Sequence, residues 1–136
     1  MPRNHNTSAL GLAISSLLIL GCGPSIGVVL GTVTIDGQPV SGGVISYVSA
    51  DGAASPATSN IEGGKYEVRT MAGKKFVQIS APHVVGKRKE YEGEGAPLVE
   101  ITDESLPPRY NSQTELSFEV QRGSNVQDWQ LSKTKK

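Results

Sequence analysis

The chain has 136 residues, room for one domain, and its 13 basic and 13 acidic side chains cancel, so net charge gives no general attraction to nucleic acid or anionic lipid. Hydrophobic residues make up 37% and fall in periodic runs, which argues against a disordered polymer. With 16 glycines, 8 prolines and few aromatics, the composition suits a small all-β domain rich in turns.

Residues 1–21 differ in character from the rest. "MPRNHNTSA" carries Arg3 and no acid, and "LGLAISSLLILG" (10–21) is apolar or small throughout. That run has the length of a signal-peptide hydrophobic region and is too short to span ~30 Å of hydrocarbon. The single cysteine of the chain, Cys22, follows it directly. A lone cysteine has no internal disulfide partner, and a free thiol is poorly suited to export.

The segment Ile19-Leu20-Gly21-Cys22 resembles the bacterial lipobox, with Ile19 and Leu20 in place of the commoner residues. The resemblance implies a lipoprotein: removal of signal peptide 1–21 and lipidation of Cys22 with fatty acyl chains such as palmitate. Each buried CH₂ contributes about 0.8 kcal/mol, and two chains already hold a protein on a membrane. The expected address is the cell envelope, with the protein exported and facing the periplasm or the cell surface. Gly23, where an Asp would mark inner-membrane retention in some bacteria, points to the outer membrane. Residues 22–27 form a short tether, 28–132 the folded domain, and "KTKK" (133–136) a basic tail.

From residue 28 onward the pattern has period 2. "VVLGTVTI" (28–35) puts Val29, Val33 and Ile35 on one side. "DGQPVSGG" (36–43) is a turn region, and "VISYVS" (44–49) presents Ile45 and Tyr47 inward. "ADGAASPATSN" (50–60) reads as a loop with room for a short edge strand near Ala57. "KYEVRT" (65–70) alternates Tyr66 and Val68 with charge, and "KKFVQISA" (74–81) sets Val77 and Ile79 opposite Phe76. The stretch 83–97 is a polar excursion, and "LVEIT" (98–102) a strand. A long connection (103–114) leads to "ELSFEVQ" (115–121) and "VQDWQLS" (126–132), joined by "RGSN". About seven short strands without a helical period predict an all-β, antiparallel β-sandwich.

"GTVTIDGQPVSGGVISYVSADG" (31–52) and "NIEGGKYEVRTMAGKKFVQIS" (60–80) resemble the carboxypeptidase regulatory-like domain, a transthyretin-like Greek-key sandwich. The matching positions include Gly64, Tyr66, Gly73 and Phe76, whereas Asn60 stands where that family often has Asp. "LPPRYNSQTELSFEVQRGSNVQDWQL" (106–131) is similar to the closing segment of small exported bacterial lipoproteins with this domain. The resemblance implies a non-catalytic binding or structural module that contacts an envelope protein or polysaccharide, without a cofactor.

Candidates for chemistry are few. His83 is the only histidine after cleavage, and no Gly-x-Ser-x-Gly accompanies it. A transthyretin-like hydrolase using His83 with Ser80 or Arg109 is the alternative to a binding role. One histidine without a free cysteine cannot supply a usual zinc set, and Asp51, Asp103 and Glu104 serve calcium only if the fold gathers them. The charged stretch "GKRKEYEGEG" (86–95) reads as a solvated loop, with a recognition hairpin displaying Tyr91 as its functional alternative. Tyr91, Arg109 and Tyr110 are the candidate partner contacts, and Tyr110 is expected to pack over the end of the sandwich.

Overall fold

A computed structural model describes residues 23–134. Cys22, the expected signal segment and the last two lysines lie outside the described residues. The strands are β1 (Ile26–Ile35), β2 (Gln38–Pro39), β3 (Gly42–Ser49), β4 (Ala57–Glu62), β5 (Lys65–Met71), β6 (Gly73–Ser80), β7 (Pro82–Lys89), β8 (Leu98–Glu104), β9 (Ser117–Val120), β10 (Gly123–Val126) and β11 (Trp129–Leu131), with a 3₁₀ turn at Pro108–Tyr110. Among the described residues no helix is long and apolar enough to cross a membrane.

Nine strands form one curled, mostly antiparallel sheet in the order β10-β1-β5-β4-β3-β6-β9, with β2 and β11 also paired to β1. The curl lies at β4–β5, which share only the pair Glu62↔Lys65 beside their hairpin. Gly63 and Gly64 close that hairpin with φ of 57° and 77°, the left-handed geometry that a two-residue turn requires. Beyond it β4 follows β3 and β5 follows β1, so the sheet has two halves.

The halves close on one core. Val29, Val33, Tyr66 and Val68 from one meet Ile45, Tyr47, Val77, Ile79 and Val120 from the other, with Trp129 and Leu131 completing the cluster. The inward positions expected from alternation are buried, except that Ile35, Leu116 and Phe118 are half-buried against the same core. Tyr110 also packs against it.

Several expectations need correction. Among the described residues eleven strand segments replace seven, and β10 and β11 run parallel to β1. The expected last strand is broken at Gln127–Asp128, and "RGSN" is mostly strand rather than turn. Asn125 explains this: it is buried, accepts from the Gln121 N–H at 2.8 Å, and donates to the Gln121 and Val28 carbonyls at 2.8 and 3.2 Å. Its amide thereby ties β10 to β1 where a turn residue was expected. The segment 57–62 is a full strand paired with β3, longer than the short edge strand expected near Ala57. β1 begins at Ile26, inside the expected tether, because Ile26 and Gly27 pair with Met71 and Thr70.

The strand directions define two ends. At the proximal end β1 begins, β5 ends, β6 begins and β9 passes to β10, and the Ser25 carbonyl accepts from the Ala72 N–H at 2.7 Å. β6 then carries the chain to the distal end, where β1 also finishes.

Candidate functional site

At the distal end the chain leaves the curled sheet at Pro82 and returns at Glu104 as a separate two-stranded ribbon, β7–β8. This corrects the reading of 86–95 as a solvated loop within a polar excursion: the segment belongs to a hairpin, the form its alternative reading required. Val84, Val85, Val99 and Ile101 favour extended backbone, and the register runs from Pro82↔Glu104 to Lys89↔Leu98 with a bulge between Val84 and Gly86. Glu90 N–H closes the tip on the Pro97 carbonyl at 3.0 Å. Eight residues of strand project about 25 Å at ~3.3 Å each.

The ribbon's surface is mixed. Val84, Val85, Tyr91 and Leu98 are each at least half exposed. Lys87, Arg88 and Lys89 lie on β7, with Glu100 opposite Lys87 and further acids Glu92 and Glu94 at the tip. Neither outer edge pairs with another described strand, so each presents free backbone donors and acceptors. Such an arm can bind by strand addition, with side-chain selectivity supplied by its exposed apolar and charged groups.

The root of the arm is fixed by Glu104. Its carboxylate accepts from the Ala81 N–H at 2.9 Å, the Leu106 N–H at 3.0 Å and the Ser80 hydroxyl. Partial burial raises its pKa, but these bonds, with the Ser105 backbone, outweigh that and hold it below the ordinary carboxylate value. Beside it His83 Nδ1 lies 2.9 Å from Ser105 Oγ. His83 and Ser105 line a cleft of about 320 Å³ with Asp36, Ser41 and Lys133. The residues suggested as partners of His83 are occupied elsewhere: Ser80 by Glu104, and Arg109 by the Tyr110 hydroxyl and the Ser132 and Thr134 carbonyls.

The sequence candidates therefore separate. Tyr91 stands at the arm tip, whereas Arg109 stacks over the Tyr110 ring at 4.7 Å on the body. Asp51 follows β3 at the proximal end, away from Asp103 and Glu104 on β8. Among the described residues no cluster of three His, Cys, Asp or Glu groups could hold a metal ion. Reading the sequence missed Ser105 and Glu104 as the root of the arm; the signal was the polar "DES" just before the buried Leu106. No family model, curated protein or solved structure matches the chain.

Proposed function

We propose that the chain is an exported lipoprotein, anchored through Cys22, whose transthyretin-like Greek-key sandwich holds a non-catalytic binding arm away from the lipid. The observation that carries this reading is the polarity of the fold. The segment following Cys22 joins the body at the proximal end, where Ser25 is tied to Ala72, and the arm springs from the distal end. An anchor at Cys22 holds the proximal end near the membrane and directs β7–β8 into the periplasm or the surrounding medium. The two sheet halves around one core, and a glycine hairpin before Tyr66, support the sandwich class.

The partner is an envelope protein or polysaccharide that meets the arm's open edges and Tyr91. The test is intact mass and membrane partition of the native protein and of Cys22→Ser, combined with a photo-crosslinker at Tyr91 or, as a control, at Phe76. Acylated protein with envelope crosslinks from position 91 alone is the expected result. Recovery of unacylated chain in the soluble fraction overturns the anchor, and equal crosslinking from both positions overturns the arm.

The hydrolase alternative has one observation in its favour, the Ser105–His83 pair in the distal cleft. A small-ester panel decides it: hydrolysis by the full chain that disappears in Ser105→Ala establishes the enzyme, and no turnover removes it.

A further inference from the structure

We infer that the outer face of the β5–β1–β10 layer leans, proximal end first, on the anionic membrane surface that bears the Cys22 anchor, and the inference rests on that anchor. Gly27, Val29 and Val33 turn inward, so Ile26, Val28 and Leu30 point outward along β1. The register sets Met71 and Arg69 of β5 opposite Ile26 and Val28, and Val126 of β10 opposite Leu30. Paired residues share a face. Val126 is 73% exposed, Met71 42% and Leu30 38%. The result is an apolar strip across three strands on the solvent side of a sheet, where polar residues are the rule.

Its position identifies the occupant. Cys22 precedes Ile26 by four residues, which reach at most about 14 Å. The tie between Ser25 and Ala72 shortens the free tether further. A lipid held by Cys22 therefore cannot lie far from this face.

The charges are sorted along the same face. Arg69 is in its proximal half, and Arg122 immediately precedes Gly123, the partner of Gly27. Glu67 lies directly opposite Leu30 on the β5 side, and Asp128 lies farther along the face, where it accepts from the Thr32 N–H at 2.8 Å. Although the whole chain is neutral, its proximal face presents guanidinium groups within screening distance of the headgroups, about 8 to 10 Å. Met71, Leu30 and Val126 then enter the interfacial layer, as the apolar side of an interfacial element does. Glu67 and Asp128, on the distal side of the oblique line from Met71 to Val126, remain in water with the distal arm.

The experiment uses the full chain purified in acylated form and checked by intact mass. Acylation consumes the only native thiol, so Val126→Cys and, in a separate protein, Tyr91→Cys each accept one fluorophore. Vesicles of phosphatidylcholine and phosphatidylglycerol carry a nitroxide headgroup quencher. The label at 126 is expected to be quenched about fivefold more than the label at 91, with the difference at least halved on phosphatidylcholine alone or in Arg69→Glu/Arg122→Glu. Equal quenching of both labels on a chain of acylated mass overturns the docked face and leaves the anchor standing. A mass without acyl chains removes the anchor and this inference with it. Concentration-dependent shielding of position 126 without vesicles assigns the face to a second copy and also overturns it.

Discussion

The Tyr47 hydroxyl donates to the Tyr66 hydroxyl at 2.9 Å, and Tyr66 donates onward to the Gln127 carbonyl at 2.7 Å. This relay joins β3, β5 and the break between β10 and β11 inside the core. Tyr66→Phe leaves the Gln127 carbonyl and the Tyr47 hydroxyl without these partners, at a cost of about 1–3 kcal/mol. Tyr47→Phe removes one donor and leaves the bond to Gln127 intact, so it costs less. Urea unfolding of the two variants measures the difference; equal losses would show that the relay does not act as a directed chain.

The same pair predicts alkaline sensitivity. Burial raises the pKa of both phenols above 10, and for Tyr66 the contact with Tyr47 adds to it. The folded state thus retains protons that the unfolded state loses. The stabilisation from neutral phenols is complete below pH 10 and declines as pH rises beyond it. Phenolate absorbance of Tyr47 and Tyr66 should appear together with loss of β-sheet circular dichroism. Ionisation of both while the sheet persists would contradict the buried relay.

Much of the core was readable because one face of each strand is buried, which imposes period 2 on its side chains. Ile45, Tyr47, Val77 and Ile79 are all buried as their alternation requires. The same rule places Lys75 inward, although a lysine does not advertise burial. It is 2% exposed, and its Nζ donates to Ser49 Oγ at 2.7 Å. The arm was harder to read because both its faces are solvated and no alternation is enforced on β7. Asn125 concealed β10 because its side-chain amide does in a strand what it ordinarily does in a turn. The distal cleft was invisible, since the Ser105–His83 contact follows from the register of β7 with β8.

Gly31 is expected to tolerate no side chain. An added Cβ would overlap the Gln127 carbonyl, which lies over β1 where the chain passes from β10 to β11. Relief requires backbone displacement near the Tyr66 bond. Gly31→Ala should therefore cost about 1–3 kcal/mol, roughly 4–8 °C of Tm per kcal/mol. Gly42→Ala, whose Cβ meets open space, is the control and should leave Tm nearly unchanged.

Glu104 holds the arm to the body through three hydrogen-bond donors, the Ser80 hydroxyl and the Ala81 and Leu106 N–H groups. Its lowered pKa means that this contribution is present above the ordinary carboxylate value and is lost as pH falls through the folded value. Hydrogen exchange at Ala81 and Leu106 should accelerate in acid before the core opens. Because the carboxylate is partly in water, Glu104→Ala should cost only about 1 kcal/mol of global stability. Unchanged exchange at both amides in that variant would show that Glu104 does not fix the root.

Removal of the arm should separate folding from binding. β7–β8 forms its own sheet, and its exposed apolar residues contribute little to the core. Joining Val84 to Thr102 through Asn-Gly preserves the first three cross-strand pairs, including His83↔Asp103, and leaves Glu104 in place. The shortened chain should keep its sheet signal, with Tm within about 3 °C of the full chain, less than the shift from 1 kcal/mol. Its membrane partition through Cys22 should also persist. Envelope crosslinks to the arm should disappear, with crosslinkers at positions 85 and 91 in the full chain as the reference. A collapse of Tm would instead make the ribbon part of the folding unit, and its exposed side chains would then have to be explained by stability rather than recognition.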